Sequence, residues 1–315
     1  MVTPEQINLA ANAIRQGELV AFPTETVYGL GANALDAIAV ARIFEMKGRP
    51  KFDPLIVHIA SAAELKPLVE QVPSPAMQLI QRFWPGPLSL VLPKQSSIPD
   101  IVTAGLPSVA IRCPAHEVAQ ALLRAAGVPI AAPSANVFGA VSPTTADHVK
   151  EQFGDRLPHI LDGGPCKIGV ESTVVSFVQS SPVLLRPGGV TLEEIEAVIG
   201  PVAVGMADDA RPVSPGQLSR HYSPATQLVL TAEEIHLDPS MRVGLLTLQP
   251  PATSKGFAAV EVLSETGCLT EAAANVFAAL RRLDAMGLDY IVARPVPEAG
   301  LGRAIMDRLR RAATK

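Results

Sequence analysis

The sequence predicts an α/β (α+β) protein, a twisted mixed sheet with helices linked to a small Rossmann-like α/β domain. Three features predict it. Short β-rich runs alternate with helical or Pro/Gly-rich segments over the first 200 residues, little periodicity survives from Pro201 to Pro224, and a strand–helix–strand rhythm resumes beyond. The expected limits are 1–200 for the first domain, 201–224 for the linker and 225–315 for the second domain. At 315 residues and 48% hydrophobic content, the chain has enough apolar material for a packed core in each.

The first helix has its start written locally. Thr3 is the N-cap, Pro4 takes the first helical position, Gln6 completes a capping box and Gly17 ends the helix. Strands are then expected at Leu19–Phe22, Leu55–Ile59, Leu88–Leu92, Val109–Arg112, Val128–Ala132, Val174–Val178 and Val183–Leu185. Their order within a sheet is not readable. Thr191 and Glu194 form a second capping box, and Gly200 with Pro201 closes that helix. Gly205, Asp208, Asp209, Pro212, Pro215, Gly216 and Ser223 mark the linker. Beyond it, strands at Gln227–Leu230, Arg242–Leu248, Ala258–Leu263 and Tyr290–Ala293 surround a helix from Thr270 to Met286, and a last helix begins near Gly300. That rhythm suits a small parallel sheet, and no repeat of fixed period is present.

Charge narrows the function. With 26 Lys+Arg against 30 Asp+Glu, the net −4 and 18% charged content exclude an RNA-coating surface and wholesale disorder. Cys113, Cys166 and Cys268 form no CxxC pair, so a disulfide framework or cysteine-rich zinc site is not expected; they read as buried apolar residues in a reducing compartment. Glu5, Arg15 and Glu18 interrupt any signal-peptide h-region, and no apolar run approaches the roughly 20 residues of a membrane span. A soluble, cytoplasmic protein without membrane contact is expected.

Six segments carry candidate chemistry. Phe22-Pro-Thr-Glu-Thr-Val-Tyr-Gly-Leu-Gly31 sets two hydroxyls and a carboxylate directly after a buried strand, a pattern that serves equally as a polar turn. Its GxGxxA is not a dinucleotide fingerprint, because Pro23-Thr-Glu-Thr breaks the strand-to-loop step and Arg49 stands where an acid is needed. There is no GxxxxGK[ST]. Lys47-Gly-Arg49, stiffened by Pro50 and Pro54, is a possible phosphate clamp and by itself an ordinary charged loop. His58, inside an apolar run, reads by default as a core histidine. Ser108-Val-Ala-Ile-Arg112, Ala131-Ala-Pro-Ser-Ala-Asn136, Gly169-Val-Glu-Ser172-Thr173 and Arg186-Pro-Gly-Gly189 each bring a hydroxyl or guanidinium to a strand end. Arg112 pairing a surface acid and Ser134 capping a turn are the plainer alternatives. The convergence of Lys47, Arg49, Arg112 and Arg186 at element ends of one domain in an acidic chain points to a compact polyanion rather than an extended duplex.

In this order, PTETVYGLG, KGRPxxxPLxVH, SVAIRCP, APSAN, ESTVV and RPG resemble the YrdC family in its longer, two-domain form, and SPGQLSRHYSP before a small α/β domain is similar to that form's C-terminal extension. The resemblance covers nearly the whole chain. It implies a YrdC-like fold for the first domain and an L-threonylcarbamoyladenylate synthase, a nucleotidyltransferase that takes ATP, L-threonine and bicarbonate, releases pyrophosphate and serves threonylcarbamoyladenosine formation on tRNA. Carried over by motif, Lys47 and Arg49 are catalytic; Thr26, His58, Arg112, Ala132 and Ser172 hold L-threonine; and Arg49, Asp53, Ser108, Ser134, Ser142, Arg186 and Tyr222 hold ATP. Asp53 stands where the family usually has Asn, so its carboxylate needs Lys51, Arg49 or magnesium beside it. Ser108 replaces a common Thr and keeps the hydroxyl.

The same resemblance implies Mg2+ held mainly by the ATP phosphates, no protein metal cage, weak or no direct tRNA binding, and a downstream threonylcarbamoyl transferase complex as partner. Arg220, His221 and Tyr222 are expected to fold over the pocket as a lid, against the alternative of a plain tether. The rival functions are a non-catalytic RNA-binding module and a carbamoyl-adenylate enzyme using another donor such as carbamoyl phosphate. For the second domain, lid support, partner binding and dimerisation stay open, and Ala, Leu, Val and Phe spacing in its long helix suits core packing.

Overall fold

The computed structural model describes residues 2–50, 52–205, 221–233 and 235–314. Among these, one sheet is built from β1 (Val20–Phe22), β2 (Gly29–Asn33), β3 (Ile56–His58), β4 (Leu88–Pro93), β5 (Ser108–Arg112), β6 (Ile130–Ala131), β7 (Thr173–Ser176), β8 (Val183–Arg186) and β9 (Ala203–Val204). Its order is β1-β2-β6-β3-β5-β4-β7-β8-β9. The pairs β3/β5, β4/β7 and β8/β9 are parallel and the others antiparallel, so the sheet is mixed. The register sets His58 opposite Arg112, and Arg112 opposite Ser89 on its other side, which brings three polar side chains into one row across the sheet.

The second sheet, β10 (Gln227–Leu230), β11 (Val243–Thr247), β12 (Ala259–Val262) and β13 (Tyr290–Ala293), has order β10-β13-β11-β12 and is parallel throughout. Helices Leu269–Asp284 and Gly302–Ala313 pack on it with Val276, Phe277, Leu280, Ile305 and Leu309 in the core. That core does not stop at the domain border. Val27, Val141 and Val170 of the first domain are buried in it, and Gly169 (φ +74°) lies so close to Ala273 and Ala274 that a Cβ there would fall 2.4 Å from the Ala273 carbonyl oxygen.

Both capping boxes form as expected, on Thr3 with Gln6 and on Thr191 with Glu194. Three expectations need correction. The segment through Gly31 is expected as a ligand-facing stretch or a polar turn, with no strand of its own, yet Gly29-Leu-Gly31 runs as a strand in which β1 and β6 leave no room for a side chain: a Cβ on Gly31 would sit 2.7 Å from Ile130 Cγ2 and 2.8 Å from the Phe22 ring. The start of the expected linker, Ala203–Val204, pairs with β8 and belongs to the sheet. Cys268 is exposed at the N-cap of helix Leu269–Asp284, while Cys113 and Cys166 are buried, with burial raising Cys113 to about 11. Linker residues 206–220, including Arg220, and Lys51 lie outside the described residues. No described helix is long and apolar enough to cross a membrane.

Candidate functional site

The turn after β1 is organised by Thr24. Its hydroxyl donates to the Val27 carbonyl at 2.6 Å and accepts the Thr26 and Val27 amides. With that proton committed, Thr26 is the donor in the 2.8 Å hydroxyl contact between the two threonines. Thr26 Oγ1 in turn accepts from Arg112 Nη1 at 2.8 Å. Arg112 also donates to Glu25 Oε1 at 2.6 Å and to the Gly86 carbonyl, and the other Glu25 oxygen accepts the Ala115 amide at 3.0 Å. A strand end, a turn and a loop therefore fix one buried guanidinium in the plane it needs.

On the opposite wall, Ser172 leads into β7 and Arg186 ends β8. Arg186 Nη2 donates to the Ser172 carbonyl at 2.9 Å and to its hydroxyl at 3.2 Å, and that hydroxyl also meets Ser89 Oγ at 2.8 Å. Glu171 accepts from Ser142 Oγ at 2.6 Å. From the helix Ala37–Lys47 comes the third wall. Lys47 Nζ donates to the Ser134 carbonyl at 2.6 Å and to that of Asn136, and Arg49 pairs with Asp53 at 2.8 Å while donating to the Pro54 carbonyl at 3.0 Å. Burial drives the Lys47 ammonium well below its usual range, and Arg49 adds to this; burial also raises Asp53 despite Arg49.

These walls enclose one cavity of about 40 Å³. Thr26, Arg49, His58, Arg112, Ala132, Ser134, Ser172, Arg186 and Tyr222 line it, together with His221. Lys47, Asp53, Ser108 and Ser142 do not: Lys47 is bonded to the Ser134 and Asn136 carbonyls, Asp53 is paired with Arg49, Ser142 is bonded to Glu171, and Ser108 begins β5, about 13 Å of extended chain from Arg112. Among the described residues His58 Nδ1 has no hydrogen-bond partner; burial, then Arg112, lowers its pKa to about 3, so the ring is neutral. His221 is likewise held neutral by burial and by Arg49 and Lys47.

Sequence reasoning missed Glu171 as a lining residue and Arg308 of the last helix, which donates to Glu171 at 2.9 Å. Glu171 stands beside Ser172 in a flagged motif; Arg308 has no local signal, being 137 residues from its partner. Chemically the site presents three guanidiniums and several hydroxyls with neutral histidines, an arrangement that binds and neutralises anions rather than abstracting protons. Among the described residues no group of three or more His, Cys, Asp or Glu side chains is placed to hold a metal ion.

Comparison with known proteins gives two family matches. Residues 12–188 match the family of Sua5, YciO and YrdC described as telomere recombination, and residues 190–314 match the threonylcarbamoyl-AMP synthase C-terminal domain. The chain is 48% identical to a threonylcarbamoyl-AMP synthase of Pyrococcus abyssi, covering 98% of this chain and 94% of the relative. It is also 48% identical to one of Bacillus subtilis, covering 98% and 93%. A crystal structure of P. abyssi Sua5 complexed with L-threonine superposes with a TM-score of 0.92 at 44% identity, over 99% of this chain and 95% of that one.

Proposed function

The chain belongs to the threonylcarbamoyl-AMP synthase family in its two-domain form, and on that premise we propose that its cavity seats L-threonine and ATP side by side. It is an adenylyltransferase-type enzyme of tRNA modification that forms threonylcarbamoyl-AMP. The observation that carries the assignment of the cavity is the gathering of Arg49, Arg112 and Arg186 on one buried space in a chain of net charge −4. L-threonine takes the side of Thr26, His58, Arg112, Ala132 and Ser172, where Arg112 faces its carboxylate. The nucleotide takes the side of Arg49, Ser134, Arg186 and Tyr222. Lys47, bonded to the Ser134 and Asn136 carbonyls, holds in place the loop that brings Ser134 to the nucleotide side.

The threonine amine bonds to the carbon of bicarbonate with loss of water, or to that of carbon dioxide derived from it with loss of a proton, to give a carbamate. One carbamate oxygen then bonds to the α-phosphorus as the bond to pyrophosphate breaks, and pyrophosphate leaves with the electron pair. The attacking group is already anionic, so positioning and charge neutralisation suffice. The carboxylates nearest the cavity are engaged, Glu171 by Ser142 and Arg308 and Glu25 by Arg112 and Ala115. With Glu171 and Glu25 so engaged, Mg2+ brought in by the nucleotide would supply neutralisation of the triphosphate charge alongside Arg49 and Arg186.

His221 and Tyr222 stand on the wall of this cavity and keep water from the carbamate and the mixed anhydride. Direct tRNA binding is weak or absent: Arg303, Arg310 and Arg311 of the last helix are paired with Glu193, Glu298 and Asp307. The adenylate passes to a threonylcarbamoyl transferase complex.

The test is pyrophosphate release from ATP with L-threonine and bicarbonate omitted in turn. Release should require both, and carbamoyl phosphate should not replace either. Release that ignores L-threonine, or that carbamoyl phosphate sustains, overturns the reading.

A further inference from the structure

The last helix, Gly302–Ala313, turns an apolar face into its own domain, yet one arginine on it is completely buried. Arg308 Nε donates to Glu171 Oε2 at 2.9 Å. Its Nη1 donates to the Pro187 carbonyl at 2.8 Å and to Asp307 Oδ2 at 2.7 Å. The guanidinium carbon lies 5.2 Å from the centre of the Tyr222 ring, and that ring stacks on Phe277 of the same domain at 5.5 Å. Nη2 makes no hydrogen bond among the described residues.

Three of these partners belong to separate segments, and each segment supplies the cavity. Glu171 lines it beside Ser172, Pro187 follows Arg186, and Tyr222 is itself part of the wall. A buried cation with an unsatisfied N–H is a poor device for stability alone, since an apolar side chain of similar length fills the space without the desolvation cost. What the cation adds is direction, because a planar fork fixes where its acceptors and the ring stand relative to one another.

We propose that Arg308 is a positioning residue of the reaction: through Glu171, Pro187 and Tyr222, the second domain sets the geometry of the nucleotide side of the cavity. The proposal rests on the reading of that cavity as the ATP and L-threonine site. It also assigns the second domain a task in catalysis, as the outer brace of a pocket whose ligand-facing groups lie mostly in the first.

Steady-state pyrophosphate release by the full-length chain tests it, with ATP and L-threonine varied in turn and thermal melting followed in parallel. Arg308→Met should raise KM for ATP by about tenfold to a hundredfold and leave KM for L-threonine within about threefold. Arg308→Lys should recover part of the ATP effect, because an ammonium reaches Glu171 but cannot also hold Pro187 and lie flat on the ring. Should Arg308→Met fail to fold, Arg308→Lys carries the test through its own split between the two KM values. The double variant Arg308→Met/Glu171→Gln relieves the unpaired carboxylate and should restore melting temperature without restoring KM for ATP. An unchanged KM for ATP in a folded variant, equal loss for both substrates, or recovery of KM together with melting temperature overturns the proposal in favour of a purely structural ion pair. If the unaltered chain releases no pyrophosphate, the functional reading fails first and takes the proposal with it.

Discussion

Arg112 Nη2 and Glu25 Oε1 stand 2.6 Å apart in an ion pair sealed from solvent at one wall of the cavity. Removing the acid leaves a buried cation without its counter-charge, which costs about 3–5 kcal/mol. Glu25→Ala should therefore lower the free energy of unfolding by that amount in a urea titration. Glu25→Gln, which keeps an acceptor oxygen for Arg112, should lose less, and equal losses would show that the charge itself is unimportant.

His58 sets a pH dependence whose sign is fixed by its environment. Its folded pKa of about 3 lies below the unfolded value of 6.5, so the unfolded chain binds the proton first as pH falls. Stability is fully present above 6.5 and declines toward 3 at up to about 1.4 kcal/mol per pH unit for this residue. His58→Asn should flatten the stability curve between about pH 4.5 and 6.5, and the wild-type His58 proton resonances should stay constant over that interval. A resonance that titrates there contradicts the burial argument.

Gly169 and Gly127 separate backbone strain from collision. Both have positive φ, +74° and +66°, but a methyl on Gly127 meets nothing within 4 Å, whereas one on Gly169 strikes the helix of the other domain. Gly127→Ala should cost about 1 kcal/mol and Gly169→Ala about 1–3 kcal/mol more. Comparable losses in chemical denaturation would mean that the domains part easily at this contact.

Chelation should abolish turnover without loosening the protein. With Glu171 and Glu25 engaged by arginines and a hydroxyl, and no described group of three or more His, Cys, Asp or Glu side chains placed to hold a metal, excess EDTA should stop pyrophosphate release while leaving the melting temperature of the nucleotide-free chain unchanged. A fall in melting temperature on EDTA would point to a resident metal instead.

Much of this architecture was legible because its signals are local. Thr3 with Gln6 and Thr191 with Glu194 need only three residues of sequence to declare a helix start, and both form. The parallel second sheet followed from the rhythm of strands and helices. β2 was hidden because its glycines, ordinary turn residues by type, are demanded by Phe22 and Ile130 at close quarters, a constraint visible only once the strands are paired. The same distance hid the site's framework. Arg112 and Arg186 could be picked out as cations at strand ends, but Arg112 meets Glu25 across 87 residues and Glu171 meets Arg308 across 137. No spacing rule reaches so far. Lys47 and Ser142 show the opposite limit: their motifs are plain in the sequence, and only the fold reveals that they bond to the Ser134 and Asn136 carbonyls and to the Glu171 carboxylate instead of lining the cavity themselves.

Val27, Val141 and Val170 sit in the core of the neighbouring domain, so the junction near residue 200 is no seam along which the molecule can be cut. A gene truncated there would encode a product with three valines laid bare on one side, a greasy front liable to self-association. Any engineered minimal version would first have to recoat that front with polar residues.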